Sequence, residues 1–92
     1  MKRIERRLFK IGDQIDKLVE AERLAREELI YHQHLNDDAQ RDALVSGSPI
    51  DRADARETAS DVARFERHLV NLQKRRERLE ADRNRLLGKL RD

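Results

Sequence analysis

Cysteine is absent from the 92 residues, so the chain has no disulfide, no thiolate ligand and no thiol nucleophile. Tryptophan is absent as well, and one tyrosine and two phenylalanines make up the aromatic content. A compact globular core needs more bulk than this. No apolar run approaches the roughly 20 residues that span a bilayer. The basic stretch from Lys2 to Arg7 is not followed by a continuous apolar region, so it does not read as a secretory signal. The default expectation is a cytoplasmic protein with no membrane partner. Helix breakers are also scarce, with three glycines and one proline. Two of these four fall together, in Ser46-Gly47-Ser48-Pro49, almost at the midpoint.

What remains is charge and helical periodicity. Charged residues are 43% of the chain, and an Ala/Glu/Arg/Leu-rich composition of this kind points to long helices or a coiled coil. Ninety-two residues make one domain at most. Ile4, Leu8, Ile11, Ile15 and Leu18 step by four and three in alternation, a heptad seam. Continued, that seam passes Glu22, Ala25, Leu29, His32, Asn36, Ala39 and Ala43, a good coiled-coil face at first and a compromised one later. This predicts a first helix over about 2–45, with Gly12 inside it at a cost of about 1 kcal/mol relative to alanine.

The second helix is predicted over about 49–91, after a turn at 46–48. Ser48 suits the N-cap, Pro49 the first helical position, and Asp51 stands three residues after the cap. Its seam runs from Ala55 through Thr58, Val62, Phe65, Leu69 and Leu72 to Arg76, then Leu79, Arg83, Leu86 and Leu90. The fold class is therefore all-α: two long antiparallel helices, each about 65 Å at 1.5 Å per residue. Pairing residues whose numbers sum to 97 or 98 aligns the seams. That register sets Ile11 against Leu86, His32 against Phe65 and Glu22 against Arg76. The Glu22–Arg76 pair reads as a polar contact that fixes register; its alternative is an outward-turned arginine and a solvated glutamate.

A two-helix hairpin buries little area per residue. Phe9, Val19, Leu24, Ile30, Tyr31 and Leu35 lie off the first seam, on what is read as its neighbouring flank, and Val70 and Leu87 lie off the second. Such residues form a second interface, for a twin hairpin in a four-helix bundle or for a protein partner, or else are ordinary scattered surface apolars.

Charge is polarised. Residues 1–10 carry five basic and one acidic side chain, and residues 74–91 carry eight and three, whereas residues 13–61 carry six basic and thirteen acidic groups. The expectation is a rod with a basic open end and an acidic tip. The basic end, with Arg3, Arg6, Arg7, Lys74, Arg75, Arg78 and Arg85, could meet nucleic-acid phosphates, although no aromatics are interleaved for stacking. Many of these arginines can also pair locally, for example Arg78 with Asp82. The tip, with Asp38, Asp42, Asp51 and Asp54, suits a basic protein surface better than a calcium ion, because its acids sit mostly on helices.

Nothing points to an enzyme or to a cofactor. His32 and His34 are two apart on a helix and diverge. His68 stands alone, no His/Glu set has zinc spacing, and Ser46, Ser48, Thr58 and Ser60 have no adjacent base. No glycine-rich phosphate loop is present.

Ser48-Pro49-Ile50-Asp51-Arg52-Ala53 resembles the coiled-coil tip of the DksA/TraR family, without the cysteines of that family's zinc ribbon and with Ser48 at the first tip acid. The resemblance implies an acidic hairpin tip that enters the secondary channel of bacterial RNA polymerase. The hairpin is also similar to the anti-sigma factor that binds cyclic di-GMP. Glu22, Arg26, Leu29, Gln33 and Asp37 match three of five positions of its nucleotide motif, and Glu66, Val70, Gln73, Glu77 and Ala81 match one of five, so that motif is lost. Arginine outnumbers lysine sixteen to five, as in proteins of GC-rich bacterial genomes. The function expected is a non-enzymatic interaction module, dimeric or bound to a protein partner, in bacterial transcription regulation. The alternatives are a nucleic-acid binder using the basic end, or a structural coiled-coil subunit.

Overall fold

A computed structural model describes residues 2–91. Two α-helices, α1 (Arg3–Ser46) and α2 (Pro49–Arg91), account for nearly all of them, and no strand occurs among the described residues. The chain is a helical hairpin. The turn is shorter than expected, because α1 runs one residue further and only Gly47 and Ser48 lie between the helices.

The chemistry of this turn explains where the helices stop and start. Gly47 adopts φ +61°, the left-handed region open to glycine at little cost. Its N–H donates to the Ala43 carbonyl at 2.9 Å, closing α1 with the αL cap. Ser48 is the N-cap of α2, and its hydroxyl accepts the Asp51 N–H at 3.2 Å. The Ser46 hydroxyl ties the two ends together, accepting the Ser48 N–H at 3.1 Å and donating to the Asp51 carboxylate.

Contacts divide the chain into two compact units. The first joins the part of α1 up to Arg23 with the part of α2 from Val70. Here the heptad seam supplies large aliphatics. Ile11, Ile15 and Leu86 form a buried cluster against which Ile4, Leu8 and Leu79 pack, and Leu18 and Leu72 are buried as well. Burying a leucine or isoleucine side chain contributes about 1.5–3 kcal/mol, so these residues carry most of the unit's stability. The expected pairing of Ile11 with Leu86 is present.

The second unit, Leu24–Leu69, has a thinner apolar core, with Ala25 and Ala55 its buried members. Where the α1 seam turns polar, polar and aromatic contacts take over. His32 stacks on Phe65 with ring centroids 4.3 Å apart and planes 18° apart, and Tyr31 meets the His32 ring edge-on at 5.4 Å. The Asn36 side-chain oxygen lies 3.0 Å from the Thr58 hydroxyl and accepts from Gln40 Nε2 at 3.1 Å. Gln40 Nε2 also donates to the Ala55 carbonyl at 3.0 Å. His32–Phe65 matches the expected register. The Asn36–Thr58 and Gln40–Ala55 contacts fall about one helical step nearer the turn, because each seam residue interleaves between two residues of the facing helix.

Candidate functional site

Among the described residues, no three His, Cys, Asp or Glu side chains gather in a way that would hold a metal. Among the described residues, no helix is long and apolar enough to cross a membrane. His34 and His68 are exposed. The surfaces that remain are one polar contact inside the first unit, two dissimilar flanks of that unit, and exposed apolar side chains on both units.

The polar contact is the one the register predicts. Glu22 is buried, with 3% of its surface exposed. Arg76 Nε donates to Glu22 Oε2 at 2.6 Å, and Arg76 Nη1 donates to Glu80 Oε1 at 2.5 Å. These bonds, that from Glu22 foremost, push the pKa of the guanidinium further above its ordinary value, so the arginine stays charged. Arg76 does not turn outward alone; Glu80, a partner absent from the seam reading, completes a three-member group that satisfies a carboxylate otherwise costly to bury.

The two flanks of the first unit follow from heptad geometry, in which seam residues look inward and the residues beside them line either side. On one side runs a groove about 480 Å³ in volume, walled by Arg3, Arg6, Arg7 and Lys10 and floored by Ile11 and Leu79. It adjoins a second groove of about 620 Å³, with Lys17, Arg75 and Arg78 on its walls and Leu18 and Leu72 beneath. Gln14, Leu79 and Asp82 belong to both grooves. The fold thus brings together Arg3, Arg6, Arg7, Arg75 and Arg78 of the expected basic end and adds Lys10 and Lys17. Lys74 and Arg85 line neither groove, and Arg85 donates to the groove residue Asp82 at 2.7 Å.

That bond corrects the expected Arg78–Asp82 pair. Four local pairs place the acid three residues before its arginine: Glu20–Arg23, Asp38–Arg41, Asp61–Arg64 and Asp82–Arg85. An acid on the N-terminal side of its partner is the orientation that the helix dipole favours, and Asp82 takes Arg85 in that order; Arg76–Glu80 runs the other way, with its arginine also held by Glu22.

The opposite flank of α1 is apolar and acidic. A shallow groove of about 420 Å³ holds Phe9 between Glu5, Asp13 and Asp16, with Gly12 leaving space beside the ring. Phe9 is 66% exposed. The six off-seam apolar residues do not share one flank, which corrects the expectation. Phe9 and Val19 belong to the first unit, whereas Leu24, Ile30, Tyr31 and Leu35 belong to the second. Within the second unit, Leu24, Tyr31 and Leu35 recur at helical spacing along one side of α1 and Ile30 lies on the other. All six are exposed, as are Val70 and Leu87.

The acids expected at the tip are partly occupied. Asp38 pairs with Arg41, and Asp51 accepts from Ser46 while its own N–H caps on Ser48. Asp42 and Asp54 are exposed. Comparison with protein families, with curated proteins and with solved structures gives no match to this chain.

Proposed function

We propose that this chain is a non-enzymatic helical-hairpin interaction module that meets a protein partner, or a second copy of itself, through the apolar side of α1 in the second unit. The observation that carries this reading is the exposure of Leu24 (47%), Tyr31 (61%) and Leu35 (39%) at helical spacing along one side of a helix. In the same unit only two alanines are buried apolar residues. Large apolar side chains exposed side by side in this way mark association surfaces. A helix laid along this side inserts its own apolar residues between these three, as in a helix-in-groove complex or a four-helix bundle. The resemblance of Ser48–Ala53 to the DksA/TraR tip favours a partner in the bacterial transcription machinery, with exposed Asp42 and Asp54 as the tip's available acids.

Light scattering over a concentration series, with the double variant Leu24→Gln, Tyr31→Gln beside the parent, tests this reading. A dimer mass that the variant reduces to monomer supports self-association. A monomeric parent that captures RNA polymerase or a sigma factor, with capture lost in the variant, supports the partner form. A variant identical to the parent in mass and in capture would refute the reading.

A further inference from the structure

We infer that the paired grooves on the basic side of the first unit form a binding site for the phosphate backbone of duplex nucleic acid. The inference does not depend on the apolar side of the second unit. It rests on which arginines of the chain are neutralised and which are not. The ion pairs of the structure take up Arg23, Arg41, Arg64, Arg76 and Arg85. None of the cations that wall the two grooves makes an ion pair. The acid within the grooves, Asp82, is held by Arg85 and so does not cancel their field. Seven cations thus stand without an ion pair around two adjoining grooves, in a chain whose formal net charge is only +2.

Their spacing is regular. Arg3, Lys10 and Lys17 repeat every seven residues along α1, so they stay on one side of the helix. From Arg3 to Lys17 the axis rises about 21 Å, the length of about six base pairs at 3.4 Å each. Arg75 and Arg78 stand on the facing helix, roughly 10 Å away between axes. A phosphodiester strand lying along the depression meets cations on both sides.

Other polyanions fit less well. The floor residues Leu18 and Leu72 are buried, and no exposed large apolar side chain lines either groove, so a lipid surface has nothing to receive by insertion. Neither groove is lined by the tryptophan or tyrosine side chains that dominate protein–protein hot spots. No aromatic lines the grooves to stack unpaired bases, which favours a duplex over a single strand.

The test is fluorescence anisotropy with a mixed-sequence DNA duplex of about two helical turns, titrated over a salt series, with the same-length single strand and phosphatidylserine vesicles in parallel. Each phosphate neutralised contributes about −0.9 to the slope of log affinity against log salt. Contact with about five phosphates weakens binding on the order of 500-fold between about 50 and about 200 mM salt. The variant Lys10→Gln, Lys17→Gln, Arg75→Gln, Arg78→Gln should lose about three to four units of that slope. A matched variant, Arg26→Gln, Arg52→Gln, Arg56→Gln, Arg67→Gln, makes the same change in net charge away from the grooves and should lose less than about one unit. Circular dichroism verifies that both remain helical. Absence of duplex binding at low salt would overturn the inference. Equal loss in both variants, single-strand affinity equal to that of the duplex, or binding to vesicles alone would also do so.

Discussion

Replacing Gly12 with alanine should stabilise the protein, and replacing Gly47 with alanine should do the opposite. Gly12 lies mid-helix, where glycine is about 1 kcal/mol less favourable than alanine. A Cβ built there meets no atom within 4 Å, so the change brings neither a clash nor new packing. The full helix-propensity difference is then realised, part of it through the less flexible unfolded chain. At about 4–8 °C per kcal/mol for a domain of this size, Gly12→Ala should raise the melting midpoint by about that amount. Gly47 also has open space around it, but its φ of +61° is the decisive term. Holding an L-residue in that region costs about 1–2 kcal/mol. The unfolded-state gain of about 0.4–1 kcal/mol offsets part of this, leaving a net loss of about 0.5–1 kcal/mol. Both variants are measured by thermal and urea unfolding followed by circular dichroism, at one low protein concentration so that self-association does not enter the midpoint. A lower midpoint for Gly12→Ala would refute the reasoning for that position. An unchanged or higher midpoint for Gly47→Ala would refute the assignment of the αL cap.

Three further outcomes are expected. Arg76→Leu alone should lower the unfolding midpoint because it strands a buried carboxylate, and adding Glu22→Leu should recover most of the loss; simple additivity in the double-mutant cycle would contradict the three-member group. Ser48→Ala should cost about 1 kcal/mol through loss of the N-cap, with Ser48→Gly costing only a few tenths, both read from urea midpoints. Hydrogen bonds from Arg23 hold the Glu20 carboxyl below its ordinary value of 4.5. The folded value is the lower one, so the stabilisation is complete above the unfolded value and fades as pH falls through the folded one. An NMR titration should find Glu20 below the ordinary value in the parent and restored in Arg23→Gln; the same midpoint in both would exclude the pair.

Much of the hairpin was legible from the sequence because the information was redundant. The break at Gly47, the capping signal at Ser48 and Asp51, and two seams that agree on one register each point to the same topology, and the Glu22–Arg76 contact followed from the register alone. The basic groove was less legible. Its arginines were counted by segment, which groups Lys74 with Arg75 although a helix turns the two apart. Reading by side instead of by segment, the seven-residue recurrence of Arg3, Lys10 and Lys17 would have found the missing lysines. Partners within one helix were harder still. Whether Asp82 takes Arg78 or Arg85 depends on side-chain reach along the dipole, and Ser46 gains its role only once the turn has brought its hydroxyl against Asp51.

Among the described residues, no side chain reaches complete burial; even Glu22 and Ala25 retain 3% and 4% of their exposure. The protein has a seam but no interior. With so thin a seam, a local opening need not breach a core before exchange begins. Amide protection should therefore form a gradient along each helix instead of a protected centre with a labile rim. It should be highest beside Ile11, Ile15 and Leu86 and lower through the alanine-lined stretch near Ala25 and Ala55. A ligand on either side of such a molecule acts on the whole thickness of the fold at once, and binding and stability become two readings of one quantity.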